Sequence, residues 1–160
     1  MSQPLDLQVD EDGFVCVVSP DFYSGFVDED WSLDQLLAHF VQQSNLGSLF
    51  VAYPGPDHAD APLTFDEVAE SGEPYRRATG VVKVGPQGLW LTDYTQLTMA
   101  AQFQDSAPID RGAVRLPVRE GTYLLTLIHM SGEGAEFHLS SAPGTPTMTS
   151  RISSVPWFSY

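Results

Sequence analysis

The chain has one cysteine, one lysine and, before position 76, no lysine or arginine at all. It has no apolar run approaching the ~20 residues that cross a bilayer. Its opening, MSQPLDLQVDEDG, is polar and acidic rather than basic then apolar, so no signal peptide is expected. Each of these shortages excludes something. Cys16, alone and set in FVCVV, cannot close an internal disulfide and reads as a small buried apolar residue. The scarcity of positive charge argues against nucleic acid or an anionic membrane as partner, because either would need its phosphates neutralised. A reducing, cytoplasmic setting is the compartment these features fit.

Motifs that carry chemistry are equally scarce. There is no G-x-S-x-G nucleophile elbow, and an apolar strand is the wrong setting for a reactive Cys16 thiolate. GVVKVGPQG lacks the Gly-Lys-Ser/Thr ending of a phosphate loop. DEDWSLD alternates oxygen donors as a calcium loop does, but counted from Asp28 the sixth and twelfth positions are Leu33 and His39, where Gly and Glu are required. Zinc would need three or four ligands, and the histidines are scattered. No cofactor, no metal and no catalytic residue is therefore expected.

What is present is acid. The formal net charge is -14, from 21 Asp and Glu against 7 Lys and Arg. Residues 1–75 hold 15 of the acids and no Lys or Arg, while residues 76–160 hold 6 acids and all 7 bases. Unless folding intersperses the two halves, one face carries a strong negative field. A hydrophobic content of 42% with 11% aromatics places the chain among folded globules, and 160 residues suffice for one domain with a core of its own.

Short strands follow from the patterning. LDLQV alternates and FVCVVS is a short apolar run; joined at DEDG, they predict a hairpin with Gly13 near its turn. From Ser32 the period changes. Leu33, Leu36, Leu37, Phe40 and Val41 form one helical stripe, SLDQ supplies a capping box from Ser32 to Gln35, and Gly47 supplies a stop, which predicts a helix over 32–44. SLFVAY reads as a buried strand, and TFDEVAES as one or two helical turns. ATGVVKV and LWLTDY, around GPQG, predict a second hairpin; AVRLPV predicts an edge strand ended by Pro117. TYLLTLIHM and AEFHLS predict a third hairpin, and PWFSY a last strand tucked into the sandwich. Trp90 alternates within its strand and is expected in the core. Seven to nine strands, Gly/Pro-rich turns and one good helix define the expected class: mainly β, α+β, an antiparallel sandwich with a helix packed at one side, as a single domain over 1–160.

The candidate site is the stretch around Trp31. Asp28, Glu29, Asp30 and Asp34 surround the start of the helix, where acids complement its dipole and open N–H groups. That role does not account for Asp6, Asp10, Glu11, Asp12 and Asp21, which precede them with no basic counterpart. Asp21, Phe22, Tyr23 and Trp31 interleave rings with acids, as an interface for a basic protein surface requires: rings to anchor, acids to steer and to pair with Arg or Lys. In size, charge, FVDEDWSLD and lack of catalytic signatures the chain resembles small acidic bacterial immunity proteins and nuclease inhibitors. That resemblance implies an inhibitor that plugs the active site of a basic cognate toxin, a nuclease among the options. Two other readings stand beside it. Salt-adapted organisms make acidic proteins, but with acids spread evenly. A ligand-binding or hydrolytic sandwich would instead use Asp57, His58 and Asp60 of DHAD with His129 and His138 in a deep pocket; as ordinary residues all four histidines, His39 included, would lie on the surface.

Overall fold

The computed structural model describes residues 5–23, 32–66, 74–94, 97, 113–130, 136–144, 152 and 154–157. Nine strands lie among them: β1 Leu5–Gln8, β2 Val15–Val18, β3 Leu49–Ala52, β4 Pro62–Asp66, β5 Pro74–Val84, β6 Leu89–Thr92, β7 Val114–Leu116, β8 Gly121–Met130 and β9 Glu136–Pro143. One α-helix, α1, spans Leu33–Leu46, and a 3-10 turn spans Pro56–His58. The strands form two sheets. Sheet A runs β1-β4-β9-β8-β5 and sheet B runs β3-β2-β6-β7. Every pairing is antiparallel except β4 with β9. The expected class, mainly β with one helix, is the observed one.

The layering follows from β2. All four of its residues are buried, because each of its faces has a cover. Val15 and Val17 pack with Phe50, Leu63, Phe65, Leu127 and Phe137 into the core between the sheets. Cys16 and Val18 point the other way, into a second core with Leu36, Leu37 and Phe40 of α1. A strand covered on both sides reads as a continuous apolar run, which is how FVCVV reads. Each side chain of this size removed from water contributes ~1.5–3 kcal/mol.

The helix begins and ends as its sequence requires. Ser32 Oγ accepts from the Gln35 amide at 3.2 Å while the Ser32 amide donates to Gln35 Oε1 at 2.7 Å. Gly47 closes it at φ 83°, a left-handed conformation natural to glycine. Leu36, Leu37 and Phe40 are buried, Val41 is partly buried against the same core, and Leu33 stays on the surface. The β8–β9 hairpin and the edge position of β7 also match expectation.

Five expectations are corrected. β1 and β2 do not pair: β1 joins β4 in sheet A and β2 joins β3 and β6 in sheet B. β5 and β6 likewise separate, β5 to β8 and β6 to β2. Both short connections pass from one sheet to the other, since a strand needing two covers recruits neighbours from distant sequence. Thr64–Asp66 belong to β4, not to a helical turn, because Thr64 and Phe65 pair with both β1 and β9 and Asp66 pairs with β9, while residues 67–71 of the expected turn lie outside the described residues. The described part of the C-terminal segment forms bends and turns, not a strand. Trp90 is half-buried at the margin of the helix-side core, its Nε1 donating to the Gln87 carbonyl at 2.7 Å.

Candidate protein-binding surface

Of the eight residues singled out for partner binding, the structure describes Asp21, Phe22, Tyr23 and Asp34; Asp28, Glu29, Asp30 and Trp31 lie outside the described residues. Asp21 follows β2 and grips the β5–β6 connection. Its carboxylate accepts from the Gln87 amide at 2.8 Å and from Gln87 Nε2 at 3.1 Å. A Cβ on Gly85 would stand 2.6 Å from Asp21 Oδ2, so glycine is required for this approach. Tyr23 lays the same loop on α1, its ring edge-on to His39 at 5.6 Å. Burial pushes its phenol well above the ordinary tyrosine range. Phe22 is 48% exposed, and Asp34 is exposed in the first turn of α1. Phe22 and Asp34 are thus presented outward, whereas Asp21 and Tyr23 hold the loop in place.

A second group of acids gathers at the other end of β2. Asp10, Glu11, Asp60 and Asp93 line a cleft of about 560 Å³, with Leu7, Gln8 and Val9 on one wall and Leu91, Thr92 and Val114 on the other. They come from three parts of the chain: the β1–β2 turn, the segment after the 3-10 turn, and the end of β6. The cleft lies where β1, one edge of sheet A, faces β6 and β7 of sheet B. The basic strand β5, bearing Arg76, Arg77 and Lys83, forms the opposite edge of sheet A. The strand order therefore sets β1, beside the cleft, and the basic strand β5 at opposite edges of sheet A. Arg115 is exposed on β7, placed 6.0 Å over the Trp90 ring.

Asp10 forms the floor of this arrangement. Its Oδ1 accepts from the amides of Asp12 at 3.0 Å and Phe14 at 2.7 Å, and its Oδ2 from that of Tyr94 at 2.8 Å, which ties the turn to the end of β6. Burial nevertheless outweighs these donors, and the carboxyl is pushed up from 3.8 to about 6. The folded state then holds the proton more tightly than the unfolded one. Its contribution is fully present below pH 3.8 and is lost as pH rises through about 6. At ~1.4 kcal/mol per unit the ceiling is about 3 kcal/mol, which partial exposure to solvent screens to about 1–2 kcal/mol. Urea unfolding of the wild type and of Asp10→Asn at about pH 4 and about pH 7 checks this. The wild type should lose about 1–2 kcal/mol relative to the variant on going up in pH, and a constant difference would refute the cost of ionising Asp10.

The histidine constellation is divided by the fold. His58 and His129 do meet, ring centroids 4.9 Å apart and edge-on. His138, paired opposite Ile128, alternates with the core residues Phe137 and Leu139 and so faces the outside of sheet A. Asp57 is exposed, and Asp60 belongs to the acidic cleft. Nor are the four histidines surface residues as a set: His39 and His129 are buried, the first beneath Tyr23 and the second against Phe137. Among the described residues no three His, Cys, Asp or Glu side chains are grouped to hold a metal ion, the acidic cleft included. Cys16 is buried and free, and burial holds its thiol well above the usual range, so it is inert.

Sequence reasoning marked the surplus of Asp10, Glu11 and Asp12 but did not bring Asp60 or Asp93 to them. Asp93 follows a core strand, and nothing near it in sequence signals the cleft.

These features define a two-sheet sandwich with α1 packed on one sheet and carboxylates on an open edge. No protein-family model matches the chain, and no curated protein matches it in sequence. Two solved structures are similar in fold. Crocagin biosynthetic gene J is 9% identical, covering 91% of this chain and 100% of that one at a TM-score of 0.51, so the architecture is shared over nearly the full length. ComJ from Bacillus subtilis, inhibitor of the DNA degrading activity of NucA, is 12% identical, covering 89% of this chain and 96% of that one at a TM-score of 0.49. Among the described residues no helix is long and apolar enough to cross a membrane.

Proposed function

We propose that this chain is an acidic protein-binding inhibitor of the immunity-protein type, which neutralises a basic cognate toxin by occluding its active site. One observation carries the reading: Asp10, Glu11, Asp60 and Asp93, from three parts of the chain, converge on one edge of the sandwich, opposite the basic strand β5. An even acidic coat would not produce that separation. A one-signed surface raises association rates toward an oppositely charged partner by ~10 to 10³-fold. The toxin class that best matches it is a nuclease, whose site is basic because it binds phosphates, and carboxylates can stand in for those phosphates. Phe22 and Asp34, at the far end of β2 from the cleft, would supply an anchor and further charge, and Asp28, Glu29, Asp30 and Trp31 belong to the same proposed surface. The reading rests on charge and site, since one sandwich fold hosts many activities.

The test is capture on the immobilised chain from lysate of the native organism at about 50 mM and about 500 mM salt, spanning strong and weak screening. Each captured protein is then purified and assayed for nuclease activity. A basic protein retained at low salt, released at high salt and inhibited at one-to-one stoichiometry is the expected result. Captured proteins whose activity is untouched by saturating chain would sink the proposal.

A further inference from the structure

On the β3–β5 side of the sandwich the described residues of the C-terminal segment, 152 and 154–157, are fastened at three points. Asn45 of α1 grips Ile152 twice: its Nδ2 donates to the Ile152 carbonyl at 3.0 Å, and its Oδ1 accepts from the Ile152 amide at 2.9 Å. The Tyr53 amide donates to the Pro156 carbonyl at 3.0 Å. Trp157 lies beneath the Arg76 guanidinium, 4.2 Å from its carbon. Ile152 and Pro156 thereby lie over the gap between β3 and β5, beside Phe50 and Gly80. Trp157 sits at φ 70°, a left-handed conformation that a residue of this size holds only when its contacts impose it.

Arg76 is itself held by an unusual acceptor. Its Nη2 donates to the Pro54 carbonyl at 2.9 Å, and its Nε donates to His129 Nδ1 at 3.1 Å. A guanidinium has no acceptor, so Nδ1 must carry a lone pair and the imidazole is neutral with its proton on Nε2. Among the described residues, the charged and titratable groups facing His129 include Arg76 from β5 and His58 from the 3-10 turn, while β9 and the C-terminal segment present Phe137 and Trp157. Burial, Arg76 and His58 all hold the imidazole below its ordinary value of 6.5.

We propose that the C-terminal segment is a strap latched through Arg76 and Trp157, and that protonation of His129 releases the latch. A proton on Nδ1 occupies the lone pair that Arg76 uses and sets two cations side by side in a buried site. Arg76 then withdraws, and Trp157 loses the cation above its ring. The neutral form of His129 contributes stability above its ordinary value, and that contribution is lost as pH falls below about 6.5. Release uncovers the β3–β5 side of the sandwich, a surface distinct from the acidic cleft.

An NMR titration of the full chain from about pH 8 to about pH 5 follows the Trp157 indole, the Ile152 and Tyr53 amides, the His129 ring and the Val17 amide as a core control. The strap signals should move together with the His129 ring, at one midpoint below 6.5, while Val17 stays put. His129→Gln, whose amide oxygen accepts from Arg76 without titrating, should remove the response; this also separates the latch from Asp10, which titrates in the same range. His58→Gln should keep the response and raise its midpoint. Arg76→Leu should hold the strap signals at their low-pH positions throughout, and decides the matter if His129→Gln does not fold. Strap signals that stay flat while the His129 ring titrates, or that still respond in His129→Gln, would overturn the latch.

Discussion

Replacing Asp28, Glu29 and Asp30 together by lysine is expected to abolish binding of the basic partner and to leave the sandwich folded. The change moves net charge by six units within three residues beside Trp31, at the mouth of α1. In the proposed interface, charges there set both the rate of encounter and the pairing at contact, so association should slow by ~10²-fold or more, and the close pairs should become repulsive. The fold should persist because the capping box of Ser32 and Gln35 remains in place to start α1. A companion variant, Glu11→Gln with Asp60→Asn, addresses the cleft. Asparagine suits position 60, where φ is 61°, because it tolerates the left-handed conformation as aspartate does. That pair should slow association by ~10-fold and flatten its salt dependence. Stopped-flow association at several salt concentrations, beside circular dichroism of each variant, makes the measurement. Unchanged affinity and salt slope in the lysine triple would show that the partner uses another face; an unchanged pair with a disabled triple would confine the interface to the α1 end.

Gly13→Ala is the substitution expected to harm the fold most for the fewest atoms added. Gly13 turns the chain between the sheets at φ 82°, where a side chain costs ~1 kcal/mol or more. Its carbonyl accepts from the Gly55 amide at 3.0 Å, and the two backbones are so close that a Cβ would overlap the Gly55 carbonyl group and stand 2.7 Å from the Pro56 nitrogen. Backbone atoms cannot rotate aside, so the β1–β2 turn and the 54–56 segment must part. The expected cost is about 3 kcal/mol, a fall of about 10 °C in Tm for a chain of this size. Gly55→Ala is the matched control: φ is 110°, yet nothing lies within 4 Å of its Cβ. It should cost only the conformational term, about 1–3 kcal/mol, with no clash added. Thermal unfolding of the two variants separates them, and equal melting points would mean the close approach is not there.

The legible part of this protein is its local structure. The capping box at Ser32, the apolar stripe through Leu36, Leu37 and Phe40, and Gly47 mark α1 without reference to anything distant. Most strand positions, though not β4 or the start of β5, the β8–β9 hairpin and the burial of Cys16 were legible for the same reason. Pairing was not. LDLQV and FVCVV look like a hairpin whether their connection folds back or crosses between sheets, and only the contact of Gly13 with Gly55, 42 positions along, decides for crossing. The parallel match of β4 to β9 joins segments over 70 residues apart, with no local trace. TFD reads as a helix start until strands on both sides claim it.

The site divides along the same line. That acids outnumber bases, and that none of the early ones has a basic neighbour in sequence, belongs to the chain itself. The tertiary structure decided that Asp60 and Asp93 join Asp10 and Glu11, that Asp21 is spent on Gln87, and that His58 meets His129 while His138 faces away. Propensity, capping and periodicity act over a few residues, so they are written in order along the sequence. Which side chains share a cleft depends on how two sheets and a helix bury their apolar faces together, and that is settled by contacts between residues far apart in the chain.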